Sequence, residues 1–165
     1  ARNLAQGTKC LNQEKQLFVM LSGYSDECNG SIVFASEKAT TAMWYQLLVR
    51  GDYPRRYGMT KETAAVCPAA RFPFNYGSGS GYHFAINRNI CMVNGEVNRK
   101  LAALKFPSRT GYLADSPGSY QFTDSSKVER RHNWSANFLY FDGHAAACKI
   151  LPGAWNDVLY YGGLQ

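Results

Sequence analysis

The stretch Ala136-Asn137-Phe138-Leu139-Tyr140-Phe141-Asp142-Gly143-His144-Ala145-Ala146-Ala147-Cys148-Lys149-Ile150-Leu151 decides the fold. Residues 136–141 and 144–151 are two strand-like runs with Asp142-Gly143 between them. Asp-Gly is a preferred two-residue hairpin turn, because both central positions need positive φ. An antiparallel hairpin over 136–151 is the expectation. Upstream, 110–114 reads as another strand, closed by the turn composition Asp115-Ser116-Pro117-Gly118. Residues 82–87 and 89–93 are further short strand candidates, and 96–104 suits a helical turn or two. The segment 82–165 is therefore read as β-rich.

The first part of the chain has a different period. Over 1–24, Leu4, Thr8, Leu11, Phe18 and Leu21 recur at three-, four- and seven-residue steps. Arg2, Gln6, Lys9, Gln13 and Gln16 form the opposite, polar stripe. These periods put the two sets on different faces of a helix, with an exit near Gly23-Tyr24. Ala1-Arg2-Asn3 is a poor cap, so the helix reads as one continued upstream. Residues 25–81 read as a helix and loop region: a loop with a short Ile32-Val33-Phe34 run, a helix over 40–50, then a segment with Pro54, Pro68 and Pro73. Helix first and antiparallel sheet second predicts a single α+β domain.

Composition narrows the function classes. A chain of 165 residues can bury roughly 70% of its unfolded surface in one core. Aromatics at 14% exclude a disordered chain. The formal charge of +6 raises the question of an acidic partner, but Lys and Arg cluster only as Arg55-Arg56 and Arg130-Arg131. That pattern points away from a dedicated nucleic-acid surface. No run approaches 18 consecutive apolar residues, so these residues hold no apolar span of membrane-crossing length. The five cysteines include no Cys-x-x-Cys pair, which argues against a local metal knuckle or redox motif.

Arg131-His132-Asn133-Trp134-Ser135-Ala136-Asn137-Phe138-Leu139-Tyr140-Phe141-Asp142-Gly143-His144 holds a His, nine intervening residues, then Asp-Gly. This resembles the C-terminal signature of a large bacterial family of type IV pilin-like proteins, or pseudopilins; Asn137, Asp142, Gly143 and His144 all match it. Further landmarks follow in order: Lys9-Cys10-Leu11-Asn12 with Lys15-Gln16-Leu17, then Tyr24, Asp26 and Gly30, then Trp44 with Leu47, Cys67-Pro68, Phe106-Pro107-Ser108 and Leu113-Ala114-Asp115. The resemblance covers nearly the whole chain. The family's membrane anchor, a cleavage Gly and an aromatic followed by about twenty apolar residues, is absent from these residues.

The resemblance implies a pilin-like fold, a long N-terminal helix packed on a mostly antiparallel sheet. It also implies a structural subunit of a type II secretion-like or type IV pilus-like fibre. An upstream segment would hold it in the inner membrane before assembly, with the head periplasmic or extracellular. Its partners would be other pilin-like subunits bound through the N-terminal helix, leaving Leu4 and Thr8 exposed in the isolated head. An exported polysaccharide-binding module carried on a pilin-type helix is the alternative, and a nucleic-acid-uptake pilin is a third. Trp134, Trp155, Tyr160 and Tyr161 are the aromatics on which a sugar could stack.

Candidate site residues are weighed on that background. His132, Asn137, Asp142, Gly143, His144 and Asp115 are read as structural members of the motif that set the last hairpin. His132, Asp142, His144, Asp115 and His83 are metal-ligand types. Six strand residues separate His132 from Asp142 by well over 10 Å, at roughly 3.3 Å each, so these two cannot share an ion. His132 can still reach Asp115 on a neighbouring strand. No metal and no cofactor is assigned. Cys67, Cys91 and Ser135 are nucleophile types, but no local catalytic signature surrounds them, and the reading is not an enzyme. In an exported head, Cys10, Cys28, Cys67 and Cys91 are the disulfide candidates, two bridges being expected with Cys148 left buried. The connectivity stays open, and free buried thiols remain an alternative.

Overall fold

The computed structural model describes residues 2–36, 43–50, 56, 65–75, 80–91, 99–151 and 157–162. A 26-residue helix, α1 (Arg2–Glu27), opens the chain. It is followed by α2 (Trp44–Arg50), β1 (Ser80–Asn87), a helical turn α3 (Arg88–Cys91), β2 (Gly111–Ser119), β3 (Gln121–Phe122), β4 (Ala136–Tyr140), β5 (Ala145–Cys148) and α4 (Val158–Tyr161). The five strands form one sheet in the order β3-β1-β2-β4-β5. All pairings are antiparallel except β1 with the two-residue β3. The protein is thus α+β, with a long N-terminal helix against a mostly antiparallel sheet.

Helix α1 packs on β4 and β5. Its buried face runs through Cys10, Gln13, Glu14, Leu17 and Leu21, at helical three- and four-residue spacing. This corrects the expected stripe. Gln13 belongs to the interior, where its side-chain amide donates to the Val66 carbonyl at 2.6 Å, and Glu14 is interior as well. Leu4 and Thr8 are exposed. The helix runs past Gly23 to Glu27 and ends at Asn29 and Gly30, both with positive φ (54° and 72°). Gly30 N–H then donates to the Ser25 carbonyl at 2.7 Å, as a left-handed helix exit requires.

The sheet alternates as a two-sided sheet should. Phe84, Ile86, Leu113 and Leu139 join Leu17, Leu21, Trp44 and Tyr45 in one core cluster. Ala85, Ala114 and Phe138 face the other way, with Phe122, Leu159 and Tyr160.

Four local expectations are corrected. The turn of the β4–β5 hairpin has three residues, not two: Tyr140 N–H donates to the His144 carbonyl at 2.9 Å, and Gly143 N–H to the Tyr140 carbonyl at 3.0 Å. Only Gly143 has positive φ (91°), so this is a turn closed by a glycine bulge. Of the strand expected over 89–93, residues 89–91 are helical rather than extended, and 92–93 lie outside the described residues. Ile32-Val33-Phe34 forms no strand, and its flanks are held by isolated bridges at Ser31 and Ser36. Finally, Asp115-Ser116-Pro117-Gly118 does not end β2. The strand runs through it to Ser119, with register shifts against β1 and with Gly118 at φ 122°. A bulge is where a strand tolerates Pro117, because a displaced N–H position has no ladder bond to lose. Of the remaining expectations, the 40–50 helix is seen as α2, and the 96–104 turn as a 3₁₀ turn at Leu101–Ala103. Pro54, Arg55 and Trp155 lie outside the described residues.

Candidate functional site

Continuing β2 through Asp115 has a large consequence, because it carries a carboxylate into the layer between α1 and the sheet. Asp115 and Glu14 are both fully buried. The β2–β4 ladder pairs Gly111 with Tyr140, Leu113 with Leu139 and Ala114 with Phe138. At the next step a side chain replaces the main chain: Asn137 N–H donates to Asp115 Oδ2 at 2.7 Å. The freed Asp115 carbonyl accepts from Glu129 N–H at 2.9 Å. A buried carboxylate bonded to a backbone N–H is a charge-assisted bond that fixes the strand register.

Around Asp115 lies a buried group of charged and polar side chains. Its Oδ1 is 3.8 Å from Arg131 Nε, and its Oδ2 is 3.4 Å from His132 Nε2. Arg131 also pairs with Glu129 at 2.6 Å, donates to the Ser116 carbonyl, and stands over the Phe72 ring at 5.8 Å. Glu14 enters the same space from α1. Both of its carboxyl oxygens are buried without a hydrogen-bond partner among the described residues. Burial, then the nearby Asp115 charge, pushes the Glu14 carboxyl well above the usual range, while Arg131 pulls the other way. One guanidinium cannot neutralise two buried carboxylates, so Glu14 is the group that keeps its proton.

His132 sits in a tight turn before β4. Its N–H and carbonyl exchange backbone bonds with Ser135 at 3.1 and 3.0 Å. Asn133 and Trp134 fill the two central positions at φ 52° and 63°. Asn takes this conformation readily, but a bulky Trp there costs about 1–2 kcal/mol. The turn leaves the Trp134 indole 83% exposed and the imidazole of His132 buried. Across the interface, Gly7 of α1 faces the His132 ring; a β-carbon there would meet its atoms at 3.7 Å, an ordinary contact. The Gly7 carbonyl accepts from the Asn137 side-chain amide at 3.3 Å. A cavity of ≈ 290 Å³ adjoins, lined by Leu4, Thr8, Leu11, His132 and Lys149 among others.

Cys10 of α1 is disulfide-bonded to Cys67, with Cα atoms 5.3 Å apart. Cys67 Sγ is 3.6 Å from His132 Nε2. Cys67 N–H donates to His83 Nδ1 at 3.0 Å, and His83 Nε2 meets the Phe72 carbonyl at 2.9 Å. These partners make Nδ1 the acceptor and Nε2 the donor. Burial holds the His83 pKa below its usual value, in keeping with this neutral form.

The motif thus divides in two. His132, Asn137 and Asp115 meet in the buried layer. Asp142, Gly143 and His144 lie together at the far end of β4, where His144 Nδ1 is 2.6 Å from Asp142 Oδ1 and its ring stacks on Tyr140 at 4.1 Å. His132 and Asp142 are accordingly at opposite ends of one strand. Gly143 touches α1, since a β-carbon there would come within 2.5 Å of the Phe18 ring.

The expected second disulfide is corrected. Cys28 and Cys91 are free, and so is Cys148. Cys91 lies in the apolar core at the end of α3, where burial pushes its thiol well up, while Cys28 follows α1 at its exit turn. Cys148 is half-buried on the outer strand β5, not enclosed. Of the nucleophile types, Cys67 is oxidised and the Ser135 hydroxyl donates to the His132 carbonyl rather than to an imidazole. Sequence reasoning missed Glu14 and Arg131. The signal for Glu14 was an acidic residue three and four positions from Leu11, Cys10, Phe18 and Leu17, on the buried helical face. Comparison with family models, curated proteins and solved structures finds no match to this chain.

Proposed function

We propose that this chain is the head domain of a pilin-like filament subunit, with a structural role carried by α1. The observation that supports this reading is the use made of the motif residues. Asn137 ties the hairpin to the Gly7 carbonyl, Asp115 sets the β2–β4 register, and Gly143 admits the Phe18 ring. The first and third fix α1 against the sheet and the second holds the sheet it packs on, as a subunit that transmits load through its N-terminal helix would need. Leu4, 68% exposed on the first turns of α1, is the kind of apolar surface a neighbouring helix would cover. No described helix is long and apolar enough to cross a membrane, so in this reading anchoring belongs to residues upstream.

A photo-crosslinking amino acid at position 4 of the native, membrane-recovered protein tests the reading. A ladder of multimers, together with a processed N-terminus preceding a long apolar segment, is the expected result. Monomer alone after irradiation, with an ordinary signal peptide removed near Ala1, would overturn it. Trp134 favours one second reading, an exported polysaccharide-binding module. Its indole is 83% exposed on a turn whose backbone is held in a costly conformation, and such strain collects at ligand sites. Saturable quenching of indole fluorescence by polysaccharide, lost in Trp134→Ala, would move that reading first.

A further inference from the structure

Cys10, Cys67 and His132 come from α1, from the segment before β1 and from the turn before β4. They offer ligand atoms that all lie within 4.8 Å of one another, and all three are buried. We propose that, when the Cys10–Cys67 bond is reduced, these side chains and Asp115 hold a single tetrahedral Zn²⁺ ion. The site stands independently of the filament reading.

The geometry carries the proposal. Tetrahedral zinc has Zn–S near 2.3 Å, Zn–N near 2.0–2.1 Å and Zn–O near 2.0–2.2 Å. The corresponding tetrahedron has edges of about 3.6 Å between sulfur and nitrogen and about 3.4 Å between nitrogen and oxygen. The Cys67 Sγ to His132 Nε2 distance is 3.6 Å, and His132 Nε2 to Asp115 Oδ2 is 3.4 Å. Two edges are therefore already at the required length. The edge between the sulfurs must open to about 3.8 Å, and the Asp115 carboxylate, which is not among the ligand atoms lying within 4.8 Å of one another, must draw toward the sulfurs. A two-thiolate, one-imidazole donor set suits zinc rather than calcium or magnesium, which take oxygen ligands.

The surroundings fit the charge. Two thiolates and Asp115 around Zn²⁺ leave one net negative charge, and Arg131 lies 3.8 Å from the other oxygen of Asp115. The cavity lined by Gly7, Thr8, Leu11 and His132 reaches the site on the His132 side. A small-molecule dithiol supplies the electrons: it becomes a disulfide as the Cys10–Cys67 bond is cleaved to two thiols. Zn²⁺ then displaces the two thiol protons, so binding releases about two protons. A small-molecule disulfide reoxidises the pair, itself taking up the two electrons and two protons to become two thiols, and this removes both sulfur ligands and expels the ion.

The test uses the full chain with Cys28→Ser and Cys148→Ser, reduced by a dithiol that is then removed without air. Zn²⁺ alone is titrated by calorimetry in two buffers, and Co²⁺ is used as a spectroscopic substitute. One equivalent of metal, proton release, a thiolate-to-cobalt charge-transfer band and tetrahedral ligand-field bands are expected. The oxidised chain should bind at least about 100-fold more weakly, and His132→Ala should weaken binding by a similar factor. Should His132→Ala fail to fold, the paired Cys10→Ala/Cys67→Ala chain, which keeps apolar side chains at both positions, serves instead and should bind no Zn²⁺ at the site. X-ray absorption of the zinc-loaded, otherwise unaltered chain should show two sulfur and two nitrogen or oxygen neighbours. Equal affinity in oxidised and reduced chains, retained binding in the paired variant, or a shell without two sulfurs overturns the proposal.

Discussion

Strand β4 has a histidine–aspartate pair at each end. At its start, His132 Nε2 lies 3.4 Å from Asp115 Oδ2, and both side chains are enclosed. At its end, His144 Nδ1 lies 2.6 Å from Asp142 Oδ1, and both side chains reach solvent. The exposed pair is the shorter, yet the buried pair governs more of the structure. In water an ion pair gains little over its hydrated parts. In the interior, removing one partner leaves the others without solvent to replace it. Asp115 also accepts a strand N–H and faces Arg131, whereas among the described residues Asp142 accepts from the backbone and ring of His144 alone.

The largest expected effect tests this contrast directly. Asp115→Ala strips Asn137 N–H of its acceptor and leaves Arg131 buried with Glu129 as its one remaining carboxylate partner among the described residues. A loss of about 3–5 kcal/mol is expected, read as a lowered urea midpoint. Asp115→Asn keeps an acceptor for the N–H and should lose less. Equal, small losses for both variants would mean that burial does not separate the two ends of β4.

Gly143 is where the exposed end of the motif reaches the core. A β-carbon at this position meets the Phe18 ring at 2.5 Å, and its φ of 91° disfavours any side chain. Gly143→Ala should cost about 1–3 kcal/mol. Phe18→Ala should return part of that loss, because it removes the clash but not the backbone strain. A double-mutant cycle measures the coupling, and a coupling near zero would detach the turn from α1.

Glu14 sharpens the comparison through pH. Its folded pKa is raised above the unfolded value, so the folded state binds the extra proton. Its contribution is complete below the ordinary carboxyl range near 4.5 and is lost as pH rises through the folded value. Glu14→Gln should therefore stabilise the protein by about 1–2 kcal/mol near pH 8 and leave it nearly unchanged near pH 4. Thermal unfolding at the two pH values reads the difference. An offset independent of pH would mean that neither burial nor the Asp115 charge raises the Glu14 carboxyl.

The hairpin was legible in the sequence because its signals are local: two strand-like runs flank Asp142-Gly143, which interrupts them. The long helix was legible through its period, but its buried face was misread. Leu4 and Leu11 drew the apolar stripe to one flank, whereas the interior accepts Gln13 and Glu14 because Val66 and the Asp115–Arg131 group lie opposite. Asp115 was read as a motif member within reach of His132, and the two do meet, but its place inside β2 was hidden by composition, since Asp-Ser-Pro-Gly suits a turn equally well as a bulged strand. The Cys10–Cys67–His132 cluster left no local trace. Its members are 57 and 65 residues apart in sequence, and only the packing of α1 on the sheet brings them together.

The smallest effect is expected at the outer pair. Asp142→Ala removes a bond to the His144 backbone N–H at 3.2 Å and one to its ring at 2.6 Å, both at the surface. His144→Ala removes the same ring contact and the stack on Tyr140. Each should lower stability by less than about 1 kcal/mol, and the coupling between them should fall further as salt rises. The three-residue turn should survive both changes, because Tyr140, His144 and Gly143 close it through the main chain. Chemical shifts of the Tyr140 and Gly143 amides report on those bonds. If either single change displaces them as strongly as Asp115→Ala displaces the amide of Asn137, the side chains rather than the backbone form the turn, and the two ends of β4 are alike after all.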